Sequence, residues 1–470
     1  MAFRNCRRNL DLKNKIHDRM ERMPEERDVA ARELVRRVYD EDQGRIQARA
    51  YVDEEIYRLE MDSIFKRCWL FLGHESQIAK PGDFLTTYMG EDPVVVVRQK
   101  DGSVAAFLNQ CRHRGMRLCR SDKGNAKNFT CIYHGWVYGL AGELKGVPLE
   151  EPAYGAVDRS SWSARPVPRI ARYKGLIFGC WDEAAPDFED YLGDAAFYLD
   201  VLLDRSAAGS EAIGGIHKWV IPCNWKFAAE QFASDMYHAP VAHLSVSLSV
   251  TAAVEEEDVA FGQEGRQFRS DRGHGTGFFV GAGRRQLLGS FVGPEVARYA
   301  MEEGMDSAVA RLGHVRGEYM HAQHMTVFPN FSFLPSANTV RVWHPKGPNE
   351  IEVWAWTLVE KDASEAVKEA YRVGGLRSFS AAGIFEQEDG ENWVEIQRVL
   401  KGHSARETWF NVGMGLGRAR DDDPQFPGRI GWVYSEEAAR GFYAQWQRLL
   451  TDPQAPIIPE PRLEHADAAE

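Results

Sequence analysis

The chain has 470 residues, 44% hydrophobic and 27% charged, with a formal net charge of −12 at pH 7. That length supports two or more buried cores in an ordinary soluble globular composition. The negative balance excludes a nucleic-acid backbone as the expected partner, and no apolar run approaches the ~18 residues of a membrane span.

Residues 1–50 are highly charged and read as helix, most clearly over 25–38, with a second helix over 53–65 whose apolar positions are Ile56, Leu59 and Ile64. From Trp69 the pattern changes to short strands broken by turn dipeptides. Pro81-Gly82 makes one turn, and Asp101-Gly102 joins strands over 94–98 and 104–108. A last strand of this part is expected over 175–181, with a boundary at Pro186-Asp187. Beyond it come a strand over 217–221 and a helix capped by Asn224 that runs to about His238, where Pro240 should end it. Residues 241–318 read as irregular, with an acidic run at 255–258 and a glycine-rich stretch at 273–281, the length of a lid or pocket rim. Strands are expected over 325–328, 339–344 and 351–358, and helices over 363–372, 390–400 and 435–450. The Pro-rich tail after Pro453 should end loosely. Seven cysteines are no disulfide framework in so long a chain. With a basic N-terminus (Arg7, Arg8, Lys13, Lys15) that lacks the apolar core of a secretory signal, a cytoplasmic location is expected.

Two stretches carry chemistry. Cys111-Arg112-His113 and Cys131-Ile132-Tyr133-His134 are mixed Cys/His clips seventeen residues apart. Two thiolates and two imidazoles are acceptable to zinc. A [2Fe–2S] cluster with cysteine on one iron and histidine on the other needs one ligand of each kind from each of two loops, and the clips supply that. Gly115 and Gly135 follow the clips, where a loop can approach sulfide closely. Further on, Gln231, Asp235 and His238 fall at i, i+4 and i+7 of the expected helix and share one face, with His243 just beyond Pro240. Adding an oxygen ligand would make the 2-His-1-carboxylate set of non-haem iron. Taken alone, two histidines five residues apart are more often unrelated polar side chains.

These landmarks together resemble the large subunit of Rieske non-haem iron aromatic-ring-hydroxylating dioxygenases, above all the biphenyl/toluene group. Asn224-Trp225-Lys226, Glu230-Gln231-Phe232 and Asp235-Met236-Tyr237-His238 look like the family's iron-site helix, and 385–393 like its carboxylate segment. The resemblance implies an α+β fold: an antiparallel β-rich Rieske domain over 57–185, and a catalytic domain over 186–452 with an antiparallel sheet flanked by helices (helix-grip, START-like). A helical segment over 1–56 should pack on the latter, and 453–470 should form the tail. It implies a Rieske [2Fe–2S] cluster on Cys111, His113, Cys131 and His134, and mononuclear Fe(II) on His238, His243 and Asp389. Asp235 would bridge the two centres between neighbouring subunits, and Gln231 would stand near the iron without ligating it. Many relatives have Asp-Asp where this chain has Glu388-Asp389; the second of the pair is the ligand, with Glu388 a remote alternative.

The substrate pocket implied by the resemblance comprises Phe232, Met236, Ala239, Phe328, Asn330, Phe333, Phe379 and Phe385. Asn330 would either bind a substrate oxygen or cap a strand. Because no Arg or Lys stands among these residues, a neutral hydrocarbon is expected over a phthalate-like acid. The implied reaction adds both atoms of O₂ to an arene, giving a cis-dihydrodiol. The implied partners are a small subunit in an α3β3 hexamer, a ferredoxin and an NAD(P)H-dependent reductase. A Rieske monooxygenase or demethylase is the rival enzyme, and a zinc-stapled interaction protein the rival of another class.

Overall fold

Four consecutive valines, Val94 to Val97, are completely buried, so their strand lies between two cores. Side chains alternate along a strand, and accordingly Val95 and Val97 join Cys111, Cys131 and Tyr138 in one cluster while Val94 and Val96 join the main core. In this computed structural model residues 26–246, 264–281 and 283–460 are described. The expectations for the basic N-terminus, the acidic run at 255–258 and residues 461–470 fall outside them.

The small β-rich part has three antiparallel sheets. The first runs Val104–Leu108, Asp92–Arg98, Asp83–Met89, Lys123–Asn125; the second joins Leu144–Gly146, Val137–Tyr138 and Phe129–Thr130; the third joins Arg169–Tyr173, Leu176–Cys180 and Leu70–His74. The larger part is built on one eight-stranded sheet, in the order Ser210–Ile221, Ile351–Glu360, Thr339–Pro345, Phe331–Leu334, Met320–Val327, Gly275–Val280, Gly265–Arg269, Arg429–Trp432. Every pairing in it is antiparallel. Helix Trp225–Ser234 lies across strands Met320–Val327 and Gly275–Val280, and helix Glu437–Thr451 packs beside it. The chain is thus the α+β, sheet-and-helix arrangement expected.

The helix over 26–38 and the segment after it pack on this larger part: Val35, Val38 and Tyr51 share a core with Tyr443 and Trp446. A buried charge cluster fastens the join. Glu60 accepts from Lys226 Nζ (2.5 Å) and from the indole N–H groups of Trp225 (2.8 Å) and Trp446 (2.7 Å). Among the described residues no helix is long and apolar enough to cross a membrane.

Two expectations need correction. Residues 264–281 and 283–319 are largely regular: strands Gly265–Arg269 and Gly275–Val280 and helices Arg284–Phe291, Pro294–Arg298 and Met305–His314 occupy them. Glycine-rich strand sequence hid the strands, since their closeness to Met236 and Ala233 demands small residues where propensity expects branched ones. The strand Phe331–Leu334 was also unforeseen; it is too short for alternation to identify it.

Candidate metal centres

The two clip loops repeat one backbone plan. Gly115 N–H donates to the Cys111 carbonyl (2.9 Å) and Cys111 N–H to that of Met116 (2.8 Å); Gly135 and Cys131 do the same to Cys131 and Trp136 (2.9 and 2.8 Å). Both glycines have left-handed backbones, φ 74° and 73°, which side chains adopt only at a cost. The loops turn Cys111 and Cys131 inward, 2% and 1% exposed, and bring the His113 and His134 rings to 4.4 Å. His113 stacks on Trp136 (5.1 Å, 6°) with its Nδ1 buried and lacking a hydrogen-bond partner, while His134 stands at the exposed tip. The Tyr138 hydroxyl accepts from Arg112 N–H (3.0 Å) and lies 3.5 Å from Cys111 Sγ, to which its proton can point.

Burial pushes the Cys111 thiol up, so its ionisation needs a positive neighbour, which a metal supplies. The four donors do not surround one point: among the described residues, the group close enough to hold a single ion is His238, His243 and Asp389. A binuclear cluster, with inward sulfurs and outward imidazoles, therefore fits the clips better than one tetrahedral zinc.

The second group arises from a broken helix. Helix Trp225–Ser234 starts at Asn224, whose Oδ1 accepts from Lys226 N–H (3.1 Å). It stops where Asp235 leaves helical geometry (φ −79°, ψ 87°) and its Oδ1 takes the N–H groups of Tyr237 (2.9 Å) and His238 (3.0 Å). Gln231, Asp235 and His238 are therefore gathered by a turn and do not share one helical face, contrary to expectation. Pro240 stands in the first turn of a new short helix, Ala239–Ala242, and opens it where it was expected to end the first one.

His238 Nε2 stands 3.4 Å and His243 Nε2 3.3 Å from the same Asp389 Oδ1, and the three ligand atoms lie within 4.8 Å of one another. Each ring turns its other nitrogen to a carboxylate: His238 Nδ1 is 3.4 Å from Asp235, and His243 Nδ1 is 2.7 Å from Glu388. Glu388 also accepts from Ser245 Oγ (2.8 Å). It is thus an outer partner of a histidine, turned away from the point where the Nε2 atoms converge, and no rival to Asp389. Burial by itself would raise the Asp389 carboxyl, but both imidazoles hold it well below the usual range. Burial would likewise lower His238, yet Asp235 and Asp389 raise it. The site is one that draws positive charge, and its inward Nε2, Nε2 and carboxylate set suits Fe(II). Gln231 adjoins it: its Oε1 accepts from Trp393 Nε1 (2.7 Å), which leaves its amide nitrogen 3.4 Å from His238 Nε2.

The aromatic residues divide. Phe385 stands edge-on to His243 (5.1 Å), Phe379 stacks on Phe385 (5.1 Å, 13°), and Phe232 packs on Trp343 (5.3 Å). Ala239 opens the short helix between the histidines. The other expected lining residues have partners of their own. Met236 packs with Val433 and Tyr434, and Phe328 packs on Phe442 (5.2 Å). Ser332 bonds to Thr326 Oγ1, which donates to the Ala229 carbonyl, so Ser332 faces the helix. Alternation then puts Phe333 on the opposite face with Phe331, which packs on Phe71 and Phe178. Asn330 Nδ2 donates to the Trp343 carbonyl (3.0 Å), which makes it a strand fastening.

Two residues near the site were not anticipated. His324 shares the helix-facing side with Thr326; its Nδ1 bonds to the Phe232 carbonyl (2.9 Å), and its buried Nε2 has no partner. Arg341 lies with its guanidinium 4.8 Å from the Phe232 ring centre and is paired with Glu386. A basic group therefore does adjoin the aromatic wall. Burial raises the Glu386 carboxyl to about 7, against the pull of Arg341. Beside His243 an open cleft of about 500 Å³ is lined by Ala242, Val246, Ile384, Gln387, Glu388, Glu391 and Asn392.

Residues 188–452 match the family described as ring hydroxylating alpha subunit (catalytic domain), and residues 68–169 match the Rieske [2Fe-2S] domain. The chain is 57% identical over 426 residues to the chlorobenzene dioxygenase subunit alpha of Cupriavidus sp. (strain PS12), covering 90% of this chain and 94% of the relative. It is 55% identical over 437 residues to the biphenyl 2,3-dioxygenase subunit alpha of Rhodococcus jostii (strain RHA1), covering 92% and 94%. The crystal structure of naphthalene 1,2-dioxygenase from Rhodococcus sp. bound to indole superimposes with a TM-score of 0.78 at 38% identity, over 88% of this chain and 95% of that one.

Proposed function

Because the chain belongs to the ring-hydroxylating alpha-subunit family, we propose that it is the large oxygenase subunit of an enzyme that adds both atoms of O₂ to a neutral arene. The product is a cis-dihydrodiol, and NAD(P)H supplies the two electrons that balance it. The observation that carries the reading is the convergence of two Nε2 atoms on Asp389 Oδ1, with a carboxylate behind each ring and the Phe379–Phe385 stack beside them.

A Rieske cluster supplies single electrons and a mononuclear iron the activation of O₂ when they are bound. Cys111, His113, Cys131 and His134 would hold the first, and His238, His243 and Asp389 the second. Glu388 fixes the His243 ring by accepting its Nδ1 proton, and the Asp235 carboxylate, 3.4 Å from His238 Nδ1, steadies that ring by charge, which keeps each Nε2 lone pair aimed inward. Phe379 and Phe385 hold a flat ring by packing, and Gln231 offers its amide N–H near the iron position.

Asp235 is 36% exposed and stands among the exposed side chains of Tyr237 and Val241. His134 stands beside exposed Ile132 and Tyr133. Two apolar rims around one carboxylate and one imidazole support a head-to-tail assembly in which Asp235 accepts from His134 of the partner subunit. An α3β3 hexamer with a small subunit, a ferredoxin and a reductase completes the proposal. The six cysteines of the described residues are buried and none is in a disulfide, which accords with a reducing cytoplasm.

The test is the reconstituted system with ¹⁸O₂ and a panel of benzene, biphenyl, naphthalene and phthalate. Hydrocarbon cis-dihydrodiols carrying two labelled oxygens are expected. Single-label phenols that form without a dihydrodiol preceding them would make it a monooxygenase, and turnover of phthalate alone would overturn the neutral-arene reading.

A further inference from the structure

Arg341 is completely buried and Glu386 is 2% exposed. They come from different elements, Arg341 from strand Thr339–Pro345 and Glu386 from helix Ile384–Leu400, which also carries Asp389. The guanidinium lies against the aromatic wall, 4.8 Å from the Phe232 ring centre and 5.8 Å from that of Phe379. Nη1 donates to Glu386 Oε2, and Nη2 donates to Thr339 Oγ1 (3.0 Å) and the Phe379 carbonyl (3.4 Å). Arg341 Nε and Glu386 Oε1 are buried with no hydrogen-bond partner. The pairing is one-pronged, so each group keeps an unspent bond.

A desolvated guanidinium beside an arene site is by its chemistry a receptor for an aromatic carboxylate, since its planar fork matches two carboxylate oxygens. Here a carboxylate of the chain itself occupies that receptor. We infer that the Arg341–Glu386 pair is a specificity-determining element: Glu386 occupies Arg341 from within the protein, so that the site takes neutral arenes and turns away aromatic carboxylates. Deleting the Glu386 carboxylate frees both the charge and the space for a substrate carboxylate. The inference rests on the proposed reading that Phe232 and Phe379 border the substrate.

The experiment uses the assembled holoenzyme at pH 8, with Glu386→Ala, Glu386→Ser, Glu386→Gln and the double variant Arg341→Met/Glu386→Leu. Iron content and the cluster spectrum are checked for each. The first readout is the thermal midpoint with benzoate, acetate, benzyl alcohol and acetamide. Benzoate and acetate should raise the midpoint of Glu386→Ala, their neutral counterparts should not, and neither anion should act on the wild type or the double variant. The second readout is the benzoate-to-benzene turnover ratio, expected to rise at least about tenfold in Glu386→Ala, the worth of one charge-assisted hydrogen bond. If Glu386→Ala does not fold, Glu386→Ser decides, because it gives up the charge and the space together, whereas Glu386→Gln gives up the charge alone and leaves the space filled. Anions that stabilise Glu386→Ala or Glu386→Ser no more than the double variant would overturn the inference. Wild type that fails to oxidise benzene would overturn the proposed function instead, and the thermal readout stands independently of turnover.

Discussion

Removing the Glu388 carboxylate should weaken the iron site without abolishing it. The structure gives Glu388 one strong contact with the site, the 2.7 Å bond to His243 Nδ1, and a 2.8 Å bond from Ser245 that steadies it. A hydrogen bond to a charged group is worth ~1.5–3 kcal/mol, which at ~1.4 kcal/mol per decade is about 10–100-fold in affinity. Loss of an outer carboxylate from a metal-bound histidine typically costs the same ~10–100-fold. Glu388→Ala should therefore raise the Fe(II) dissociation constant by about that factor, and Glu388→Gln, which keeps an acceptor oxygen, by less. Asp389→Ala removes a ligand and should leave the site empty at iron concentrations that still load Glu388→Ala. The assay is anaerobic Fe(II) titration of metal-free protein, with the cluster absorption as the internal measure of folding. Iron retained in Asp389→Ala and lost in Glu388→Ala would refute the assignment, because the ligand would then be Glu388.

Asp235→Asn should keep both centres loaded yet slow reoxidation of the reduced cluster in single-turnover spectroscopy; normal reoxidation would reduce Asp235 to the turn-forming role its 2.9 and 3.0 Å bonds already give it. Lys226→Met leaves Glu60 charged and buried with two indole donors, at a cost of ~3–5 kcal/mol, whereas Glu60→Gln combined with Lys226→Met should be far milder; chemical denaturation measures both. His274 has both nitrogens committed, Nε2 to the Tyr191 carbonyl (2.7 Å) and Nδ1 to Phe328 N–H (3.0 Å), and burial lowers it to about 4. Its depressed value means the unfolded chain binds the extra proton first, so stability is full above pH ~6.5 and falls by up to ~1.4 kcal/mol per pH unit toward pH ~4. Thermal midpoints across that range should show a shallower acid loss in His274→Asn than in wild type.

The sequence by itself determined the features that depend on residue type and short spacing. The clips with their following glycines dictate the two like loops, because a Cys-to-Gly turn with φ near 73° is closed by local hydrogen bonds. Asn224 dictated where the iron-site helix starts, and the resemblance of 385–393 pointed to Asp389. Tertiary structure decided what depends on direction. Whether Asp235 continues a helix or ends it turns on a side chain choosing the N–H groups of Tyr237 and His238, an alternative to helix that periodicity does not see. Whether Phe333 faces the helix or the small domain turns on strand register, which a four-residue strand does not declare. Glu388 and Glu386 stand within one turn of Asp389, yet one reaches His243 and the other Arg341 on a strand 45 positions earlier. Spacing along a helix fixes which side a carboxylate leaves from, and the packing of helix against sheet fixes what it meets.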